Sequence, residues 1–259
     1  SNKIARFRVA TTNQNSKQTL AKSKNLLDIT NKILVNRPFG ALSNSVDFDI
    51  SVTMGRIGSV NTVAISQDGR YIVSGSSDCI VRLWDLQSGK ELRTFTGHTG
   101  AVVSVTISQD GRHIISGSHD RTIKLWNLQC GRELRTFEGH TDGVSSVTIS
   151  QDGRYIVSGS YDETIKLWDL QSGKELQTFK GHATSVAISQ DGRYIVSGGG
   201  DKTIKLWDIQ SGKELRTFTG HRRFVKFVAI SQDGRNIVSG SYKTMKLWNL
   251  QSGKELQTF

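Results

Sequence analysis

The sequence predicts an all-β protein built from repeated small antiparallel sheets, and two observations lead to this fold class. The tripeptide Gln-Asp-Gly occurs five times, beginning at Gln67, Gln109, Gln151, Gln190 and Gln232. Tryptophan recurs at Trp84, Trp126, Trp168, Trp207 and Trp248, at successive intervals of 42, 42, 39 and 41 residues. A period near forty residues indicates a repeat architecture, in which each unit buries its apolar faces against its neighbours.

The second repeat shows how one unit is built. Residues 102–108 (VVSVTIS) alternate in polarity and are rich in β-branched side chains, which predicts a strand. The Asp110-Gly111 pair predicts a tight hairpin turn, because glycine accepts a positive φ without penalty. Three further strands follow at residues 113–118, 122–128 and 132–137. Radial stacking of such four-stranded sheets gives a β-propeller, which typically has 4 to 8 blades.

The polar signature of the units then points to a family. Gly-His, Asp-Gly, Ser-Gly-Ser, Asp and Trp-Asp follow one another in this order. The chain therefore resembles the WD-repeat β-propeller family, and its phrase ISQDGRYIVSGS…TIKLWDLQSGKEL is most similar to the highly regular WD-repeat proteins of filamentous bacteria. The resemblance covers about residues 46–259, in units of about 57–97, 98–139, 140–181, 182–220 and 221–259. It implies a platform for protein interactions.

The resemblance also assigns a structural role to one set of polar residues. In the family, a histidine, a strand serine, a turn aspartate and the tryptophan form a buried hydrogen-bonded network in each blade. The second unit matches with His98, Ser116, Asp120 and Trp126. The third matches with His140, Ser158, Asp162 and Trp168. The fourth matches with His182, Ser197, Asp201 and Trp207.

The two end units depart from this signature. In the first, Arg56 stands where the histidine is expected, beside Ser74, Asp78 and Trp84. In the last, His221 and Trp248 remain, but the turn aspartate is missing. A half-satisfied buried network costs about 1–3 kcal/mol per orphaned group. We therefore expect the end units to be the least rigid.

The first 45 residues do not repeat, and three interpretations remain open for this N-terminal extension. Apolar residues spaced by seven predict an amphipathic helix over about residues 17–35, which Pro38 would end. The alternatives are a degenerate extra blade and a linker from a neighbouring domain. Residues 46–53 (VDFDISVT) stand in phase with the fourth strand of a unit, and such a strand could pair with the far end of the chain to close the ring.

Composition and motifs argue against several function classes. The net charge of +11 comes largely from cations repeated in every unit, which are spread around the body, so nucleic-acid binding is not favoured. No apolar run reaches the length of a membrane span. The recurring serine, histidine and aspartate belong to several blades, whereas an active site is normally singular, and no nucleophile elbow, metalloprotease or P-loop motif is present. We therefore predict no enzyme activity, no cofactor and no metal site.

Positions that vary between nearly identical units are candidates for binding. Before the turn aspartate the units carry Ser77, His119, Tyr161 and Gly200, with Tyr242 at the same place in the last unit. After Gly-His, the last unit carries Arg222, Arg223 and Phe224 where others have small residues. Exposed arginine and aromatic side chains are typical of interface hot spots. We take His119, Tyr161, Tyr242, Arg222, Arg223 and Phe224 as the predicted partner-binding residues, with neutral drift in surface loops as the alternative.

The predicted function is therefore a non-catalytic, cytoplasmic scaffold that binds other proteins through one face of the propeller. The basic and aromatic loops favour an acidic or phosphate-bearing partner. Two rival hypotheses remain, namely a sensor or regulatory region of a larger multidomain protein, and nucleic-acid binding through the basic loops. Because five units are fewer than the family favours, chains could also associate to complete or cap the ring. Cys79 and Cys130, at non-equivalent positions, suit a reducing compartment.

Overall fold

The computed structural model describes residues 58–259. These residues form twenty β-strands and no helix, arranged as five four-stranded antiparallel sheets. Within each sheet, strands that follow one another in sequence are hydrogen-bonded neighbours. The predicted all-β class with five four-stranded units is thus confirmed. The predictions for the N-terminal extension, for the strand at residues 46–53 and for Arg56 lie outside the described residues.

Each sheet consists of four consecutive strands. The first contains β1 (Val60–Ile65), β2 (Tyr71–Ser76), β3 (Val81–Asp85) and β4 (Glu91–Phe95). The second contains β5 (Val102–Ile107), β6 (His113–Ser118), β7 (Ile123–Asn127) and β8 (Glu133–Phe137). The third contains β9 (Val144–Ile149), β10 (Tyr155–Ser160), β11 (Thr164–Asp169) and β12 (Glu175–Lys180). The fourth contains β13 (Ser185–Ile188), β14 (Tyr194–Gly198), β15 (Ile204–Asp208) and β16 (Glu214–Phe218). The fifth contains β17 (Phe227–Ile230), β18 (Asn236–Ser241), β19 (Thr244–Asn249) and β20 (Glu255–Thr258).

The turn between the first and second strands of a unit is fixed by its own side chains. In the third unit the hydroxyl of Ser150 donates to the carboxylate of Asp152 at 2.6 Å and accepts the backbone N–H of Tyr155 at 2.9 Å. Gly153 takes a φ of 69°, which a glycine adopts without a steric penalty. The Gln-Asp-Gly repeat therefore marks five turns of the same construction.

Consecutive sheets stack face to face and bury one apolar cluster at each junction. Between the second and third sheets, Ile123 and Phe137 pack against Val144 and Trp168, and all four are at most 1% exposed. The rings of Phe137 and Trp168 meet edge to face with centroids 5.9 Å apart. Burial of one such side chain contributes about 1.5–3 kcal/mol. The same phenylalanine–tryptophan contact recurs at the three other junctions.

The two ends of the stack are different. On the fifth sheet, Phe259 is 57% and Met245 is 37% exposed, whereas the equivalent Phe218 and Ile204 of the fourth sheet are buried. Trp84 of the first sheet is only partly buried, whereas the other four tryptophans are buried. Within residues 58–259, four apolar clusters join neighbouring sheets and none joins the fifth sheet to the first. The described blades thus form a series in which no other described sheet packs on the outer face of the first or of the fifth.

Candidate functional site: the surface of the fifth unit

The second and third units contain a complete network around a buried histidine. In the third, His140 meets Ser158 through Nε2 at 2.7 Å and Asp162 through Nδ1 at 2.8 Å. The indole N–H of Trp168 donates to the same serine oxygen at 2.8 Å. Because an indole N–H only donates, the serine hydroxyl gives its proton to Nε2, so Nδ1–H points at the carboxylate. The second unit repeats this geometry with His98, Ser116, Asp120 and Trp126.

Burial and hydrogen bonding shift the pKa values of this network. Burial alone would raise the pKa of the Asp162 carboxyl, but donors from Thr164, the backbone of Thr141 and His140 hold it below its usual range. Burial lowers the pKa of His140, against the smaller opposing effect of Asp162. At neutral pH the network therefore contains a carboxylate and a neutral imidazole. Its groups bond one another, so none is free to act on a substrate.

The fourth unit departs from the prediction. His182 makes no hydrogen bond to Ser197 or Asp201; its side chain is 41% exposed and Nδ1 lies 3.6 Å from the carboxylate of Glu163. Only the tryptophan bond remains, with the indole N–H of Trp207 donating to Ser197 at 3.0 Å. Asp201 bonds instead to Thr203 in its own turn.

A shortened loop explains this difference. The path from the histidine to the serine after the first strand takes 10 residues in the third unit (His140 to Ser150) and 7 in the fourth (His182 to Ser189). The shorter path brings the backbone of His182 against Gly199, where a Cβ would overlap it. Gly199 replaces the serine of Ser-Gly-Ser, so the shortened loop and the glycine occur together.

The networks of the two end units differ from the complete one. In the first, Asp78 accepts a hydrogen bond from the guanidinium of Arg82 at 2.8 Å. In the fifth, His221 keeps Ser239 at 2.7 Å, while Nδ1 has only Thr244 at 3.4 Å. The turn of the fifth unit is one residue shorter than that of the third, which leaves the buried Oγ of Ser241 without a hydrogen bond in the described part of the chain.

The predicted partner-binding residues fall into two groups. The rings of His119 and Tyr161 meet edge to face at 5.8 Å, across the junction of the second and third units. The other four predicted residues lie together at the fifth unit, where they line a surface cavity of about 650 Å³. Two lysines that the sequence reasoning missed complete the lining. We call this set the fifth-unit surface; it consists of Lys202, Arg222, Arg223, Phe224, Lys226 and Tyr242.

Local sequence changes create this surface. Phe224 occupies the position of Ala101 and Gly143 in the second and third units. A Cβ on Gly143 would lie 3.2 Å from the Cα of His119 and 3.4 Å from the ring of Tyr161, so a side chain at this position meets the neighbouring turns. The fifth unit has a shorter turn beside Phe224, because the aspartate is absent and Tyr242 and Lys243 alone connect β18 to β19.

The same changes make the surface positive. Arg222 and Arg223 replace Thr141 and Asp142 of the third unit, and Lys226 replaces Ser145. The turn loses the carboxylates equivalent to Asp162 and Glu163, and Lys243 takes the place of the latter at a φ of 62°. Each difference adds a positive charge or removes a negative one, so the fifth unit is locally far more basic than its neighbours.

The cations of this surface have no anionic partner, unlike the lysine that stands two residues before the tryptophan in the second to fifth units. That lysine pairs with a glutamate of the fourth strand; for example, Lys166 lies 2.8 Å from Glu175 and Lys246 lies 2.7 Å from Glu255. Among the residues described, the fifth-unit cations Lys202, Arg222, Arg223 and Lys226 form no ion pair. Phe224 and Tyr242 beside them are 61% and 59% exposed. Unpaired cations next to exposed aromatic rings are suited to bind an external anion.

The described part of the chain lacks two other kinds of site. Residues 58–259 contain no group of histidine, cysteine, aspartate or glutamate side chains that could hold a metal ion. Nor do they contain a helix of the length and apolar character needed to cross a membrane.

Comparison with known proteins agrees with the architecture. The family described as "WD domain, G-beta repeat" matches residues 51–85, 89–127, 131–169, 173–208 and 212–249, which together make up most of the chain. The chain belongs to the WD-repeat family. Proteins of this family typically act as protein-interaction scaffolds and are generally non-catalytic.

Individual relatives match only over short segments. WD repeat-containing protein 36 of Homo sapiens is 37% identical over 82 residues, covering 27% of this chain and 9% of that protein. Ribosome assembly protein 4 of Saccharomyces cerevisiae is 58% identical over 36 residues, covering 14% and 7%. Small ribosomal subunit protein RACK1 of Medicago sativa is 53% identical over 38 residues, covering 15% and 12%. Each alignment thus spans about a tenth of the relative, and the likeness identifies the repeat.

Proposed function

We propose that this WD-repeat chain is a non-catalytic scaffold that docks an acidic segment of a partner protein on the fifth-unit surface. One observation carries the proposal. Four unpaired cations and two exposed aromatic rings line one cavity, while the third-strand lysines of the fourth and fifth units, Lys205 and Lys246, pair with glutamates. A fold of constant backbone with one divergent surface is what a binding scaffold requires.

The buried networks support the non-catalytic part of the proposal. His98 and His140 each bond a serine and an aspartate of their own blade, and their side chains are 1% exposed. A general base needs access to the proton that it abstracts. His182 is the accessible exception, but no serine or cysteine is bonded to it. The serine–histidine–aspartate sets therefore stabilise the blades.

The pair formed by His119 and Tyr161 is a second proposed contact on the same class of loops. The backbone N–H of Tyr161 donates to the carbonyl of Gly143 at 3.0 Å, which places this turn beside the loop that corresponds to residues 222–224. Tyr161 is 53% exposed. The partner would therefore contact the third and fifth units and cross the fourth.

Nucleic-acid binding is the rival that the positive surface keeps open, and a salt series separates the two. Phosphate contacts along a nucleic acid produce a steep loss of affinity with salt. The third hypothesis, a sensor region of a larger protein, makes the same use of the fifth-unit surface. We also propose a cytoplasmic location, because Cys79 and Cys130 are both free, as in a reducing compartment.

The test is capture of partners from the native organism's extract with matched variants. The double variant R222T/R223D introduces the residues of the third unit and should lose the partner. The control K213T/K254D changes net charge equally on exposed turns of the fourth and fifth units and should keep it. Replacing Tyr161 or Arg223 by alanine should weaken binding by more than about 1 kcal/mol each. A partner retained by R222T/R223D would contradict the proposal.

A further inference from the structure

We propose that the fifth-unit surface recognises a phosphomonoester group carried by the partner segment, an inference that rests on the proposed function. Lys202, Arg222, Arg223 and Lys226 line one cavity of about 650 Å³, and no carboxylate is among its lining residues. A carboxylate ligand brings one negative charge to these four cations. A phosphomonoester carries about −1.5 to −2 at neutral pH and offers three strong acceptor oxygens. Its charge and its number of acceptors therefore fit this cavity better.

The donor types also favour phosphate. Arg222 and Arg223 are adjacent in sequence, and each presents a planar fork of N–H groups that matches phosphate oxygens in a bidentate manner. Lys202 and Lys226 approach from the fourth unit's turn and from the start of β17, and each adds an ammonium donor. Phe224 and Tyr242 give the cavity apolar walls against which the side chain that carries the phosphate can pack.

The first four units each keep an aspartate in the equivalent turn, which disfavours a phosphate there. In the second and third units, Asp120 and Asp162 lie under the turn and would repel a phosphate. In the first unit Asp78 does the same. In the fourth unit the turn aspartate is Asp201, which directly precedes Lys202 in the sequence. Its carboxylate accepts two hydrogen bonds from Thr203. Loss of the turn aspartate in the fifth unit thus removes the main electrostatic obstacle.

The experiment is a titration of the whole chain with short synthetic peptides that differ only in one central residue, which is phosphoserine, aspartate or serine. The arginine side-chain NMR signals report binding. We expect saturable binding of the phosphoserine peptide at least about tenfold tighter than the aspartate peptide. Binding should be lost in R222T/R223D and kept in K213T/K254D. Equal affinity for phosphoserine and aspartate, or binding that survives R222T/R223D, would overturn the inference.

Phosphatase treatment of the extract separates this inference from the proposed function. If both are right, the partner is lost from the wild-type chain after treatment. If the partner stays bound to the treated wild type and is lost from R222T/R223D, docking stands and the phosphate inference fails. If it stays bound to both, the proposed function fails.

A second, independent observation concerns the end face of the fifth unit, on which no other described sheet packs. In the first four units, the glycine of the second strand is covered by the following unit: a Cβ on Gly75 would lie 2.5 Å from Val102, and one on Gly198 would lie 2.5 Å from Val225. In the fifth unit the equivalent Gly240 is covered by the ring of Phe227, from its own unit. Phe227 thus occupies the space over the glycine that a valine of a following unit would occupy.

Phe227 also removes a hydrogen bond that links the units. Its position in the first four units is held by hydroxyl residues, and each accepts the backbone N–H of a valine in the next unit. The four acceptors and donors are Thr62 with Val105, Ser104 with Val147, Ser146 with Val186 and Ser185 with Val228, at 3.3, 3.0, 3.2 and 3.2 Å. We infer that Phe227 is an end cap, which keeps the first unit of a second copy from stacking on the fifth in the internal register.

Sedimentation velocity over a concentration series tests the cap. We expect the wild type to show no stacking through these faces, and F227S to associate as concentration rises. F227S/V60D should return to the wild-type behaviour, because Val60 is the first-unit residue that would pack over Gly240 in the space left by the Phe227 ring. Far-ultraviolet circular dichroism checks that each variant is folded. A folded F227S that stays monomeric, or a wild type whose association is abolished by V60D, would overturn the inference.

Discussion

The contrast between Asp162 and Asp201 gives the sharpest test of the buried networks. Asp162 accepts four hydrogen bonds, two from Thr164, one from the backbone of Thr141 and one from His140, at 2.6–2.9 Å. Its replacement by alanine leaves the buried Nδ1–H of His140 with only the longer contact to the Thr164 hydroxyl at 3.2 Å, and the loss of the carboxylate costs about 1–3 kcal/mol. Water can reach the exposed Thr141 N–H, so we expect a total loss of about 2–3 kcal/mol of unfolding free energy.

Asp201→Ala is the matched control, because the sequence places Asp201 in the same motif but the structure bonds it only to Thr203. We expect a change within about 0.5 kcal/mol. Urea unfolding followed by tryptophan fluorescence measures both losses. The dependence of unfolding free energy on urea concentration should be the same for wild type and variants. Equal losses of unfolding free energy for Asp162→Ala and Asp201→Ala would contradict the difference in hydrogen bonding between the third and fourth units.

Three further outcomes follow from the same networks. Asp78→Ala should cost less than Asp162→Ala in urea melts, since Arg82 keeps a second carboxylate within 3.7 Å. The free energy of unfolding should fall as pH is lowered from about 6.5. Folding lowers the pKa of His140, so the neutral imidazole contributes stability above the unfolded pKa, and this contribution is lost as pH falls towards the folded pKa. Urea melts at two pH values measure the change. Ser241→Ala should be neutral or stabilising by thermal melting, because its buried hydroxyl has no described partner, whereas Ser160→Ala, which removes a donor to a carbonyl at 3.0 Å, should be destabilising.

The fold was predictable because the repeat is nearly verbatim. Strands of alternating polarity, Asp-Gly turns and tryptophans occur at the same positions in all five units. Local signals and the long-range repeat therefore predict the same fold. The fourth network was not predictable from residue identity alone, since His182, Ser197 and Asp201 are all present. The signal was the interval of 39 residues between Trp168 and Trp207, which reports the shortened loop. Its effect on the backbone path required coordinates.

The candidate site was partly predictable. The run Arg222, Arg223 and Phe224 differs from the residues at the same positions in the other units, and this difference predicted it as a binding site. Lys202 escaped notice because it belongs to the fourth unit and reaches the cavity only through the stacking of blades. Lys226 carried a signal, since it replaces a serine or valine of other units, but side-chain direction on an irregular loop cannot be read from sequence.

Hydrogen–deuterium exchange of the chain with its captured partner is the most direct test of docking on the fifth-unit surface. We predict that protection from exchange on binding is concentrated at residues 222–226 and 242–243, with a weaker contribution around Tyr161. Protection instead in the polar outer strands around Glu133 and Glu175, with residues 222–226 unchanged, would place the interface on the rim of the blades and contradict the account.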